Sequence, residues 1–266
     1  MACSIGVTRK VRASTHPTVP RGLIAVAVVV VVWAVASQLV TRAQILPSPL
    51  AVGGVLAGLI RSGELWHHLG ATLGRVAASF AIALALGAAL GVWMGRSRAA
   101  DAWLNTLLIV ALNLPALVVI VLCYIWIGLN EAAAITAVAA NKIPMVAVML
   151  RDGARALSPP LDDMARAFRL SPLARWRHVV IPQLAPHLAS AARTGMALIW
   201  KIVLVVEFLG RGNGVGFKLH MSFQLFDVKA VLAWALAFVL VMLAIDALVL
   251  RPWEARASRW RRDDAA

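Results

Sequence analysis

AWLNTLLIVALNLPALVVIVLCYIWIGLN, from Ala102 to Asn130, is 29 residues long and contains no charged side chain. A bilayer core about 30 Å thick is crossed by roughly 20 apolar residues in a helix, so this stretch holds a membrane span with residues to spare. Working outward, Gly22 to Thr41 is also uncharged, and Val76 to Gly95 forms another such run. Ala132 to Leu150 is interrupted only by Lys142, and Ala230 to Leu250 only by Asp246. A sixth segment, Leu188 to Leu209, carries Arg193, Lys201 and Glu207 and has the weakest claim of the set. The reading is therefore an all-α integral membrane protein with six transmembrane helices, at about 22–41, 76–95, 104–128, 132–150, 188–209 and 230–250. Helices are preferred to barrel strands because none of these runs alternates apolar and polar residues.

Composition agrees. The 266 residues are 61% apolar and 14% charged, against about half and about a quarter in soluble domains. Cys3 and Cys123 are the two cysteines. One lies in a basic leader and the other inside an apolar run, which excludes a disulfide framework. Ala34-Val35-Ala36 resembles a signal cleavage site, but the apolar run continues through Leu39-Val40 and is longer than a signal core, so the first span reads as an uncleaved anchor.

The net charge of +14 is a topology signal. With both termini cytoplasmic, 18 of the Lys and Arg residues fall on the cytoplasmic side and six on the other, as the positive-inside rule requires. The basic segments 1–21 and 251–266 and the loop 151–187 are then cytoplasmic, and nucleic acid is not needed to explain the charge. Trp66, Trp93, Trp103 and Trp253 fall near span boundaries, where indoles favour the headgroup layer.

The loop 151–187 has helical sequence of its own. Leu161, Met164, Ala165 and Phe168 recur at i, i+3, i+4 and i+7 and share one face; Asp162, Asp163, Arg166 and Arg169 occupy the other. Ser158-Pro159-Pro160 starts this helix. Ser171-Pro172 breaks it and opens a second short helix that ends near Ile181-Pro182. From periodicity alone this is either a surface helix on the headgroups or a docking element for a cytoplasmic partner.

Leu157-Ser-Pro-Pro-Leu-Asp-Asp-Met-Ala-Arg-Ala-Phe-Arg-Leu-Ser171, followed by Val179-Val-Ile-Pro-Gln-Leu-Ala-Pro186, resembles the EAA loop of bacterial ABC-importer permeases. Asp163 takes the place of the motif Glu, Ala165 of its second Ala, Arg169 of its Gly, and Pro182 follows at the expected spacing. Leu46-Pro-Ser-Pro49, Gly95-Arg-Ser-Arg98 and Gly128-Leu-Asn-Glu131 extend the likeness to the branch importing nitrate, taurine and alkanesulfonates. Two departures stand out. Asp163 is one methylene shorter than Glu, and Arg169 carries a β-carbon where a positive φ suits Gly. Either the turn shifts to Leu170-Ser171-Pro172 or Arg169 adds a contact of its own.

The resemblance implies a type I ABC-importer permease fold in which the loop is the coupling helix. It implies a plasma (inner) membrane protein, paired with a second permease copy, gripped by two cytoplasmic ABC ATPase subunits and fed by an extracytoplasmic solute-binding protein. The chain would not be an enzyme and would bind no cofactor; ATP and Mg would sit on the ATPase. In keeping with this, no G-x-x-x-x-G-K-[ST] is present. Gly210-Arg-Gly-Asn-Gly-Val-Gly216 misses the dinucleotide spacing and reads as a flexible outer turn. An ion-gradient-driven secondary transporter or channel is the alternative, but no internal repeat is evident and the amphipathic loop would be left unexplained. A membrane-embedded enzyme would need clustered His, Asp or Glu, and no such cluster or metal set stands out; His67-His68, with Glu64, Leu65 and Trp66, reads as an interfacial helix.

Ionisable residues inside a span cost roughly 2.5–3.5 kcal/mol each on translocon-insertion scales and face a cavity or a partner. Lys142 and Lys201 are candidates for lining the path of an anion, or else for pairing with Glu207 or Asp246. Asp246 is expected to answer Arg251. Asn113 with Pro115 suggests a kink or broken helix in the third span, at the substrate path or for packing. The solute itself, whether nitrate, sulfonate, taurine or a heterocycle, is not written in these residues.

Overall fold

The computed structural model describes residues 19–40 and 44–257; most of the basic leader, Thr41 to Ala43 and the last residues of the basic tail lie outside them. All regular structure among the described residues is helical. Two units separate, Met1–Ala51 and Val52–Ala266. In the first, α1 (Val19–Leu39) overlaps the first expected span, 22–41, whose last residue lies outside the described residues. Its valines from Val26 to Val35 are exposed along the helix, as a lipid-facing segment requires, and Trp33 donates its indole N–H to the Pro47 carbonyl at 3.0 Å.

The second unit opens with the remainder of α2 (Pro49–Arg61) and then α3 (Glu64–Arg96). The 33 residues of α3 span about 50 Å at 1.5 Å per residue, far more than the expected 76–95. Glu64 to His68 are its first turns, not a separate interfacial helix. In the sequence, the charge of Arg75 ends the apolar run and sets the expected boundary; in the structure that charge is buried and paired. Beside α3 lies α6 (Glu131–Arg155), running in the same direction. Arg75 meets Glu131, Ser79 Oγ donates to the Ile135 carbonyl, and Gly87, Gly91 and Gly95 face Val146, Ala147 and Ala154. A row of small residues every fourth position lets two membrane helices approach closely. A β-carbon on Gly91 would strike the Ala147 carbonyl oxygen.

Two parallel neighbours need a return between them. It is made by α4 (Arg98–Asn113) and α5 (Ala116–Ile127), which meet at 96°. The expected third span, 104–128, is therefore broken. Pro115 has no N–H to continue the helix, and Leu114, ahead of it, is extended at φ −69, ψ 124, the conformation a following proline imposes. Asn113 Nδ2 donates to the Ile109 carbonyl at 2.8 Å and satisfies part of the open helix end.

After α6 come α7 (Pro159–Ala167), α8 (Pro172–Arg175), a π-helical turn (Trp176–Val180) and α9 (Ile181–Gly210). The second short helix does not stop at Ile181-Pro182 as expected. The wider turn, with the Ile181 N–H bonded to the Trp176 carbonyl, carries the helix past Pro182 without a break, the usual service of a π-bulge. Thus α9 is longer than the expected 188–209. The last elements are α10 (Val215–Gln224), a short helix absent from the sequence expectation, then α11 (Val228–Ile245), a second π-turn (Asp246–Leu250) and α12 (Arg251–Ala257). By length and apolar composition, α3, α6 and the α11–α12 run can each cross a membrane, and the bent α4–α5 pair can do so as one span. The charges of α9 set it apart from these.

Candidate functional site

The Arg-rich loop sits at one end of the second unit, here the basic end, and a buried ionic cluster sits at the opposite, far end. At the basic end, Ser158 precedes α7 and Pro159 and Pro160 occupy its first turn, where a missing N–H costs nothing. Ala165 is buried and fixes the inner face. Leu161 and Met164 are partly covered and, with Pro182 and His178, line a groove of about 210 Å³. Phe168 is 76% exposed. The apolar face expected from the spacing is thus left largely open.

The polar face divides. Asp162 is bound by Arg175, whose Nε lies 2.6 Å from Oδ1, and by Arg166 at 3.2 Å. The hydrogen-bonded Arg175 guanidinium holds the Asp162 carboxyl below its ordinary value. Asp163, the residue matched to the motif Glu, is exposed and makes no ion pair among the described residues. One acid therefore ties the loop together and the other faces outward.

Arg169 settles its own question. It takes φ +50 itself, so the turn does not shift to Leu170-Ser171-Pro172. The Leu170 N–H bonds the Ala165 carbonyl at 3.0 Å and the Arg169 N–H bonds that of Arg166 at 2.9 Å, the two bonds of a Schellman helix end. The positive-φ turn stands at Arg169 itself, with an arginine where the resemblance places glycine. Ser171 then caps α8, accepting from the Ala174 N–H at 3.3 Å.

Of the residues considered for the path, Asn113 is exposed at the α4–α5 break, Lys142 is 9% exposed on α6, and Lys201 is exposed on α9. Gly153 packs on His187 and Arg211 reaches Glu131, so α6 and α9 run in opposite directions. This register puts Lys142, near the middle of α6, and Lys201, about two-thirds of the way along α9, at similar depth. Neither pairs with Glu207 or Asp246. Asp246 answers Arg251 at 2.7 Å, as expected, and also Arg193 at 3.5 Å.

The far-end cluster is not expected from the sequence, in which Glu207 reads only as a partner for Lys142 or Lys201. Arg75 and Glu207 are 4% and 0% exposed and 2.6 Å apart. Arg75 also forks onto both oxygens of Glu131, at 2.7 and 2.6 Å, a bidentate geometry stronger than a single bond. Glu207 accepts from Thr72 Oγ1 at 2.9 Å and the Gly216 N–H at 2.8 Å. Arg75 bonds the carbonyl and side chain of Asn213, His68 Nδ1 accepts from the Gly214 N–H, and Thr72 Oγ1 from the Val215 N–H. Gly210 to Gly216 is consequently not a flexible turn but a pinned one. Gly214, at φ +109, leaves room for the Glu207 carboxylate that a β-carbon would occupy. The signals for this cluster are an acid inside an expected span and a glycine-rich loop three residues beyond it. With the partner Arg75 assigned to a loop, nothing in the sequence joins them.

Comparison with known proteins completes the identification. Residues 81–251 match the family model described as binding-protein-dependent transport system inner membrane component. The aliphatic sulfonates transport permease protein SsuC of Escherichia coli (strain K12) is 31% identical over 71% of this chain and 72% of its own length. Its namesake in Bacillus subtilis (strain 168) is 28% identical over 91% and 87%, and the nitrate import permease protein NrtB of Synechocystis sp. (strain ATCC 27184 / PCC 6803 / Kazusa) is 27% identical over 76% of each. Among solved structures, an amino acid ABC transporter crystallised with histidines shares the fold at a TM-score of 0.61 and 20% identity, over 76% of this chain and 97% of that one. The chain belongs to the family of binding-protein-dependent transport system inner membrane components, the ABC-importer permeases that its EAA-like loop resembles.

Proposed function

We propose that this chain is the permease subunit of an ATP-driven importer and forms, with a second copy, the path of a small anionic solute such as nitrate, taurine or an alkanesulfonate. The observation that carries the reading is the state of α7: internally braced through Asp162, yet presenting Phe168, Met164 and the outward carboxylate of Asp163. Such a surface fits a groove in a cytoplasmic ATPase with a basic residue to meet Asp163. ATP and Mg are held and hydrolysed there, not on this chain, and an extracytoplasmic binding protein delivers the solute at the far end. The site is the bacterial inner membrane, with both termini cytoplasmic.

The π-turn runs α8 directly into α9 and the Asp162–Arg175 pair fastens α7 to α8, so a displacement of α7 is passed to a continuous helix. A rigid element with two discrete positions is what coupling at a distance needs. Lys201 supports the anion reading. A cation near the middle of a span faces water or a partner rather than hydrocarbon, and Lys201 is exposed on α9. Its face is best accounted for by a wet path between two copies, with Lys142 at similar depth.

The test is co-purification of the ATPase with the tagged chain. Asp163→Arg reverses the charge on an exposed side chain and is expected to abolish co-purification while leaving the chain folded. Solute uptake by proteoliposomes driven by a proton or sodium gradient, with no ATPase present, would overturn the reading in favour of a secondary transporter.

A further inference from the structure

Two cavities meet at the basic end of α3, and a single arginine lines both. The larger, about 490 Å³, is bounded by Ala88, Ala89, Val92, Trp93, Arg96 and Trp176. The stretch from Ala88 to Arg96 covers about 12 Å along the helix axis. This groove therefore climbs from the boundary of the span into its apolar part. The second cavity, about 370 Å³, is lined by Arg96, Arg155, Ser158, Gln183 and the Arg175-bound carboxylate of Asp162, among others. It lies beyond the helix end, behind α7.

The arginine is poised rather than paired. Its guanidinium carbon sits 5.2 Å from the centroid of the Trp176 ring, within cation–π range, and it has no carboxylate partner among the described residues. Asp162, the acid that lines the second cavity, is bound by Arg175 and Arg166, and Asp101 pairs with Arg155 at 2.5 Å. Positive charge is therefore left over where an apolar groove ends in a polar cavity. Trp93 and Trp176, the two indoles of the groove, are the side chains that settle at the headgroup layer.

We propose that this double cavity binds one anionic phospholipid of the leaflet at the basic end, its acyl chain along Ala88 to Val92 between the two indoles and its phosphate on Arg96. A soluble anion would gain nothing from the apolar groove, and a zwitterionic lipid gains less from an unpaired arginine. Because Trp176 opens the π-turn that joins the coupling loop to α9, the bound lipid braces that junction. Its occupancy is a property of the membrane and does not depend on which solute is carried.

Native mass spectrometry of the full-length chain, with whatever ATPase co-purifies, tests this. Dioleoylphosphatidylglycerol and dioleoylphosphatidylcholine are offered at equal mole fraction in detergent. The expected result is several-fold preferential retention of the phosphatidylglycerol, lost on Arg96→Gln and reduced on Trp176→Ala, with Arg98→Gln, an exposed neighbour on the same end, leaving it unchanged. Equal retention of the two lipids would overturn the proposal, as would an Arg98→Gln effect as large as that of Arg96→Gln, which means general surface charge. Displacement of the lipid by excess inorganic phosphate would overturn it too, by showing a headgroup site without an acyl groove. Disulfide formation between copies carrying Val92→Cys would make the groove an interface between permeases and sink the lipid assignment.

Discussion

Arg169 occupies a left-handed conformation at φ +50, where a residue with a β-carbon is disfavoured by about 1–2 kcal/mol. Glycine removes that strain but adds about 0.5–1 kcal/mol of backbone entropy to be lost on folding. Arg169→Gly is therefore expected to firm the end of α7 by about 0.5–1 kcal/mol. The gain is read as slower hydrogen exchange at the Leu170 amide, which closes the turn onto Ala165, and Arg169→Val is expected to speed it. Faster exchange in the glycine variant would mean that the arginine side chain, not its backbone, holds the turn. Nearby, Asp162 has its carboxyl lowered from 3.8, chiefly by the Arg175 hydrogen bond. A lowered folded value gives stability that is present above the unfolded value and fades as pH falls through the folded one. The melting temperature of the wild type should exceed that of Asp162→Asn near neutral pH, and the gap should close in acid below pH 3.8. A gap that persists unchanged into acid would assign the difference to shape rather than charge.

Among elements, the α3–α6 pair makes the sharpest demand on sequence. Gly91 lies against the Ala147 backbone, whereas Gly70, on the same helix, has nothing within 4 Å of where an added methyl would sit. Alanine in place of glycine favours an open helix by up to about 1 kcal/mol. Gly70→Ala should thus raise the thermal midpoint in detergent, while Gly91→Ala should lower it because neither backbone can yield cheaply. Equal shifts would show that α3 and α6 do not touch at Gly91. The long apolar helices are legible in the sequence because hydrocarbon selects for uncharged length, and α7 because its apolar residues keep helical spacing. Element ends are not. Arg75 reads as a boundary until the fold brings Glu131 and Glu207, distant in sequence, to it. Pro182 reads as a stop until a π-turn carries the helix past it. Both cases share a cause: a local signal is overridden by a long-range partner or a backbone adjustment that the local sequence does not display.

At the scale of the molecule, the two ends are built from different interactions. The far end is held by desolvated ions around Arg75 and Glu207. Breaking such a pair typically costs about 3–5 kcal/mol, because one charge is stranded. The ion pairs of the basic end are reached by water to differing degrees, Arg166 of the Asp162 pair being 68% exposed and Arg175 26%, and pairs open to water contribute about 0–1 kcal/mol. This asymmetry fits the proposed function, in which the basic end is gripped and moved while the far end keeps its shape. Under the proposed function it also ties polarity to mechanism, since α7 would meet an ATPase only from the cytoplasm. In a background with Cys3 and Cys123 replaced by serine, Leu173→Cys and Gln224→Cys place exposed thiols at the basic and far ends. A membrane-impermeant maleimide added to intact cells, with the outer barrier opened to small molecules, should label Gln224→Cys. Leu173→Cys should react only once the inner membrane is breached. The reverse pattern would put the Arg-rich loop outside, against the positive-inside bias, and no ATPase could then reach α7.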